Sequence, residues 1–187
     1  MPDQNERDAV VAPGKAGGKR RSAALPKLNL CGDIGLRIGR DGTWYYQGSP
    51  IVRKGLVKLF ASVLRLEEDG QYYLVTPAER VLIEVESMPF VAVEMQRAGT
   101  GETQTLTFRT NVDDDVIANA EHPLGFEPGI LGGFTPFILV RGGLKARLAR
   151  PVYYELAALA VELGGPDRFG VWSGGEFFPF PLPEPTV

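Results

Sequence analysis

Leu36-Arg37-Ile38-Gly39-Arg40-Asp41-Gly42-Thr43-Trp44-Tyr45-Tyr46 is the stretch from which the rest of the chain can be read. Apolar and polar residues alternate up to Ile38. Asp41-Gly42 then supplies a pair suited to the positive φ of a tight turn, and aromatic residues resume at Trp44, so the stretch predicts a β-hairpin. Ser49-Pro50 reads as an N-cap with proline in the first helical position, and predicts a helix over 51–66. Val52, Leu56, Leu59, Phe60, Val63 and Leu64 share one face of a 3.6-residue period. Glu68-Asp69-Gly70 turns the chain into an aromatic strand, Gln71 to Val75.

The same order recurs near the end. Phe137 to Leu148 reads as a hairpin about Gly142-Gly143, Pro151 to Leu163 as a helix, and Phe169-Gly170-Val171-Trp172 as a strand. Val152, Leu156, Leu159, Ala160 and Leu163 form the apolar face of that helix, which Gly164-Gly165-Pro166 ends. Laying Ile51-x-Arg53 on Leu148-x-Arg150 also lays Tyr72 on Phe169 without a gap, whereas matching the two glycine turns needs a four-residue shift. Identities are few, so two ordinary hairpin–helix pairs are the alternative; the reading adopted is an internal duplication.

Between the copies, Arg80 to Glu86 alternates as a strand. Phe90 to Glu94, Thr103 to Thr110 and Val112 to Asn119 read as consecutive strands, and Glu121 to Pro136 as a Gly/Pro-rich loop. Phe177 to Phe180 is a last short strand before a proline-rich end. The fold class is therefore α+β, mainly antiparallel β, with two related lobes over 27–86 and 87–187. Residues 1–26 are polar, small and charged, cannot bury enough apolar surface to offset their ordering entropy, and are expected to be a disordered tail.

The bulk numbers exclude several classes of function. With one cysteine, Cys31, and one histidine, His122, neither a disulfide framework nor a Cys/His zinc site can form within the chain. A net charge of -3 gives no general affinity for nucleic acid, and Lys19-Arg20-Arg21 reads first as a solvated cluster. No apolar run is long enough to span a bilayer and the N-terminus has no signal-peptide core, so a soluble cytoplasmic protein is expected, with no membrane partner.

Arg53 and Arg150 each stand at the predicted start of a helix, where a cation opposes the helix dipole. Compensation comes either from a carboxylate of the chain, such as Asp33, Asp41, Glu79 or Glu155, or from a bound anion, since a helix N-terminus with an arginine fork suits phosphate. Trp44 and Trp172 lie among aromatics beside arginines and could stack a base, although strands favour aromatics for packing alone. Thr110, Asn111 and Ser173 sit in polar turns after strands, where they either meet a ligand or satisfy backbone geometry. Arg141-Gly142-Gly143 could approach a phosphate, but is first a hairpin turn. Asp113-Asp114-Asp115 lacks the spacing of a calcium loop. His122 and Cys31 have no catalytic partner suggested by the sequence, and Glu84 with Glu86 gives only an unsupported acid–base pair. No catalytic signature is present and no cofactor is implied.

The run from Cys31-Gly32-Asp33 through Arg40-Asp41-Gly42-Thr43-Trp44, Gly48-Ser49-Pro50-Ile51-x-Arg53 and Leu56-Val57-Lys58-Leu59-Phe60 is distinctive. With Leu74-Val75-Thr76-Pro77-x-Glu79, Pro89-Phe90, Thr110-Asn111-Val112, Arg141-Gly142-Gly143-Leu144 and Trp172-Ser173-x-Gly175-x-Phe177, it resembles the bacterial family called domain of unknown function 1285. The resemblance implies a duplicated core, a C-terminal part superficially similar to pleckstrin-homology-like folds, a cleft at the domain interface for a nucleotide-like ligand, and a signalling role. It implies no established activity. The expectation is thus a ligand-binding, nucleotide-sensing module. Arg53, Arg150 and Arg141 would hold phosphate, Trp172 or Trp44 would stack the base, and Thr110, Asn111 and Ser173 would add hydrogen bonds. A protein-interaction adaptor without a small-molecule ligand is the alternative.

Overall fold

Alternation of buried and outward residues organises the chain into two sheets of the same plan. The computed structural model describes residues 29–31, 34–129, 133–162 and 169–181. The readings of the tail over 1–26, Lys19-Arg20-Arg21, Asp33, Leu163, the 164–166 turn and the proline-rich end from 182 lie outside the described residues.

In the N-terminal lobe, β1 (Asn29–Cys31), β2 (Leu36–Ile38), β3 (Trp44–Tyr46) and β4 (Ser49–Pro50) precede helix α1 (Lys54–Val63). β5 (Leu64–Leu66), β6 (Tyr72–Val75) and β7 (Glu79–Val85) follow. The strand order is β4-β3-β2-β7-β6-β5, with β2 parallel to β7 and β1 paired to the same strand. The Asp41-Gly42 hairpin forms, with Leu36 opposite Tyr46 and Ile38 opposite Trp44.

Ser49-Pro50 does not cap the helix. Gln47 and Gly48 both take positive φ (48° and 79°), the signature of a tight hairpin turn, and fold Ser49 back against Tyr46 as an edge strand. Pro50 is tolerated there because an edge strand has a free side. The helix starts at Lys54, with Arg53 as its N-cap in extended conformation and no side-chain cap bond.

The C-terminal lobe repeats the plan. β8 (Phe90–Ala98), a 3-10 turn at Gly101–Thr103, β9 (Thr105–Thr110), β10 (Asp115–Ile117), β11 (Leu124–Pro128), β12 (Phe134–Arg141) and β13 (Leu144–Leu148) form the order β10-β9-β8-β13-β12-β11. Here too the first and last strands, β8 and β13, run parallel while the other pairs run antiparallel. In strand order β2-β3 is therefore the counterpart of β8-β9, not of the Phe137–Leu148 hairpin. The helices also differ in place, since α1 follows the third strand of its plan and α2 (Arg150–Ala158) follows the sixth. α2 has Pro151 in its first turn and buries Val152 and Leu156. β14 (Val161–Glu162), β15 (Phe169–Ser173) and β16 (Glu176–Pro179) add a small third sheet.

The expected loop over Glu121 to Pro136 holds a strand pair. Prolines mask it, yet Pro128 lies at the end of an edge strand, and Pro136 lies on β12 before its pairing with β13 begins at Phe137. Gly125 on β11 lets the Phe137 ring lie across it, since a Cβ there would come within 2.5 Å of that ring.

The core is continuous across both lobes. Leu36, Ile38 and Trp44 join Phe90, Phe108, Leu106 and Ile138 in one buried cluster that α2 closes with Val152 and Leu156. Each such large apolar side chain contributes about 1.5–3 kcal/mol on burial. Among the described residues no helix is long and apolar enough to cross a membrane.

Candidate functional site

The two sheets meet at a seam, and the sequence-predicted residues divide around it. Asn111, in the turn after β9, is a clamp: its Oδ1 accepts the Val91 N–H at 3.0 Å and its Nδ2 donates to the Gly42 carbonyl of the other lobe at 3.1 Å. Arg141 also crosses the seam. It donates to Asp114 Oδ2 at 2.9 Å and to the Ala61 carbonyl of α1 at 2.8 Å, and its guanidinium lies over the Phe90 ring. Beside it Lys58 of α1 pairs with Asp113 at 2.7 Å, which holds that carboxyl below the usual carboxylate range. These groups and Ser62 surround a space of about 330 Å³ whose charges are already paired.

Three predicted residues are committed to the interior. Trp44 is 1% exposed, with its ring against Phe60 at 6.0 Å between centroids, so it is closed to a base arriving from solvent. Thr110 is fully buried, and its Oγ1 accepts the N–H groups of Val112 and Asp114. Ser173 is fully buried, donating to the Ala118 carbonyl at 2.7 Å and accepting the Leu106 N–H at 2.9 Å. These hydroxyls satisfy backbone groups that would otherwise be orphaned.

The remaining three stand on or at the start of three different elements. Arg53 is exposed at the start of α1, and its side chain has no ion pair among the described residues. Arg150 is exposed at the start of α2, where it donates to Tyr154 Oη at 2.9 Å. Trp172, on β15, packs edge-on against Phe177 at 5.3 Å, far along the chain from the seam contacts. Of the bland candidates, Asp115 lies on β10 and His122 sets its Nδ1 3.2 Å from the Leu139 carbonyl. Glu86 pairs with Arg37, and no cluster of metal-ligating side chains occurs among the described residues.

The seam opens elsewhere. A cavity of about 440 Å³ lies between Arg40, Glu86, Ser87 and Met88 on one side and Glu127, Phe134, Thr135 and Arg147 on the other. β13 places Arg147 there, because Leu144, Ala146 and Leu148 point into the core and Lys145 and Arg147 alternate outward. Arg147 donates to the Arg40 carbonyl at 3.3 Å, which ties the β2–β3 turn to the C-terminal lobe. Neither guanidinium has a carboxylate within salt-bridge distance among the described residues.

The acids nearby are engaged. Glu86 accepts from Arg37 and from the Arg40 N–H, and Glu127 accepts from Lys145. Asp41 is bound by the Thr43 N–H and hydroxyl, which hold its carboxyl below the ordinary range, with Arg147 adding a weaker pull. Phe134 is 46% exposed beside the arginines. Arg40 and Arg147 were read only as hairpin residues. The signal that could have found Arg147 was the outward alternation of Lys145 and Arg147; nothing local marks Arg40.

Comparison with known proteins agrees with this two-lobe plan. The family model described as "Domain of unknown function (DUF1285), N-terminal domain" matches residues 26–88. The model described as "Protein of unknown function (DUF1285), C-terminal domain" matches residues 89–180. A crystal structure of a DUF1285 family protein from Silicibacter pomeroyi DSS-3 is 45% identical, with a TM-score of 0.76 over 81% of this chain and 82% of that one. Another from Shewanella baltica OS155 is 26% identical, with a TM-score of 0.51 over 65% of this chain and 89% of that one. No curated protein matches the chain. With both family models adjoining between β7 and β8, and a solved relative nearly half identical over most of its length, the chain belongs to the DUF1285 family.

Proposed function

We propose that the chain is a ligand-binding module that senses a small nucleotide-like anion in the cleft between its lobes, with Arg40 and Arg147 as the anion-binding residues. One observation carries this reading: two arginines, one from each lobe, line the same cavity, and among the described residues neither has a carboxylate within salt-bridge distance. Like charges brought together at a protein surface repel, and a bound phosphate or carboxylate would offset the repulsion through bidentate hydrogen bonds. A volume of about 440 Å³ falls in the ordinary range for small-molecule sites. Phe134 supplies an aromatic face for a base. A ligand touching both lobes would favour one orientation of them, which is a physical means of signalling its presence.

The pleckstrin-homology-like reading of the C-terminal lobe belongs to the same proposal and is supported by two three-strand meanders, joined through the parallel pairing of β8 and β13 and followed by a packed helix. The adaptor reading finds less support. Strand addition needs an open edge, and the edges of the two large sheets are short: β4 has two residues with a proline, β5 and β10 have three each, and the five-residue β11 carries Gly125 and ends in Pro128.

A thermal-shift panel of nucleotides at millimolar concentration tests the proposal. At a hundred times its Kd a ligand stabilises by about 2.7 kcal/mol, enough to raise Tm by several degrees. The shift should vanish in Arg147→Ala and Arg40→Ala and persist in Arg53→Ala, whose side chain lies outside the cleft. No shift with any nucleotide in the wild type, or a shift that survives loss of both cleft arginines, would overturn it.

A further inference from the structure

Trp44 is an anomaly at the seam. Its indole Nε1 is the only buried side-chain nitrogen or oxygen without a hydrogen-bond partner among the described residues. A buried indole N–H ordinarily finds an acceptor, and leaving it unmet costs free energy. Trp44 also lines a cavity of about 260 Å³ that shares no lining residue with the Arg40–Arg147 cleft. The start of α1 forms one wall through Lys54, Val57 and Lys58, and Asn111 to Asp113 of the other lobe form the opposite one.

Most polar side chains of this cavity are already engaged. The Asn111 amide joins Val91 to Gly42, the Thr43 hydroxyl donates to Asp41, and Lys58 pairs with Asp113 at 2.7 Å. Lys54 has no ion pair among the described residues. It opens α1, which has no side-chain cap and no acid in its first turn. What remains is an indole N–H, an ammonium group and the positive end of a helix dipole. All three require an acceptor, and the last two favour a negative one. The Asp113 carboxylate, although matched by Lys58, would repel a second negative charge. The Ile51, Val52 and Val57 side chains offer only apolar surface, which suits an apolar body behind the charge. A ring as buried as Trp44 accepts no stacked base, yet a single oxygen suffices to meet its N–H. We propose that this cavity binds a small monocarboxylate with a short apolar body, its oxygens accepting from Trp44 Nε1–H and from the Lys54 ammonium group.

The test uses the full chain, isotopically labelled on nitrogen, with pentanoate as the probe. The chain has two tryptophans and so two indole N–H signals, which Trp44→Phe assigns. Pentanoate at millimolar concentration should move the Trp44 signal saturably and leave the Trp172 signal in place. Pentanamide, its uncharged match, should bind about tenfold more weakly, and Lys54→Gln, at an exposed position, should weaken pentanoate by about fivefold or more. Trp44→Phe keeps a ring in the core and removes the donor; calorimetry should show pentanoate weakened by about tenfold or more. Arg147→Ala should leave pentanoate binding unchanged, which separates this cavity from the cleft. A Trp44 signal that pentanoate does not move overturns the proposal. So do equal affinities for pentanoate and pentanamide, or binding undiminished in Lys54→Gln, and these decide the matter even if Trp44→Phe fails to fold. Pentanoate binding lost in Arg147→Ala overturns it too, by placing the carboxylate in the cleft.

Discussion

Asn111 shows how much a single side chain can do at the seam. Its amide satisfies a backbone donor in its own lobe and a backbone acceptor in the other, and Gly42 must lack a Cβ because one would lie 2.7 Å from Asn111 Nδ2. Asn111→Ala would strand the part-buried Val91 N–H and the Gly42 carbonyl, at a cost of about 1–3 kcal/mol for each group left unsatisfied. Urea unfolding should show that loss as a lower midpoint with an unchanged slope. Asn111→Asp keeps the acceptor toward Val91 and should cost less; equal losses in both variants would contradict this account. Polar residues after strands look alike in sequence whether they meet a ligand or a backbone. Thr110 and Ser173, both buried, bond to backbone groups.

At the scale of the element, α1 carries an unbalanced N-terminus. Its N-cap is Arg53, no acid stands in its first turn, and Lys54 follows directly. The extended conformation of Arg53 already suits a capping residue (φ −80°, ψ 96°). Arg53→Asp would give the orphan N–H groups an acceptor and place a negative charge at the positive end of the dipole. It should stabilise the chain by about 1 kcal/mol, read as a higher urea midpoint; a lower midpoint would mean that Arg53 makes a contact worth more than the cap. The helix itself was legible from Leu56, Leu59, Phe60 and Val63. Its start was not, because Ser49-Pro50 carries a capping signature while the preceding Gln47-Gly48 pair, a weaker signal than Asp-Gly, makes a second hairpin. β11 was hidden for a related reason: glycine and proline mark loops on average, and on an edge strand they cost little.

For the whole molecule, the buried cluster that runs from Leu36 and Trp44 to Phe90 and Leu156 makes the two lobes one thermodynamic body. The cross-lobe bonds of Arg141, Asn111 and Arg147 add to that coupling. Calorimetry should therefore show a single transition whose calorimetric and van't Hoff enthalpies agree. Two resolved transitions would show that the lobes unfold separately. Local order carries the Asp-Gly hairpin, the α1 stripe, the aromatic strand and the two-lobe division, since turn chemistry and apolar period act between near neighbours and are written in the chain itself. It also suggested a repeat, and the sheets do share a plan, though with β2-β3 matched to β8-β9. Which arginines face one another is a different kind of fact. Arg40 and Arg147 are 107 residues apart and meet, Arg147 donating to the Arg40 carbonyl, because the folded lobes bring the β2–β3 turn against β13, while Arg53 and Arg150, alike in local setting, stand at the starts of different helices. Long-range strand pairing has no local signature, so which residues line the seam follows from the packed sheets and not from any local motif.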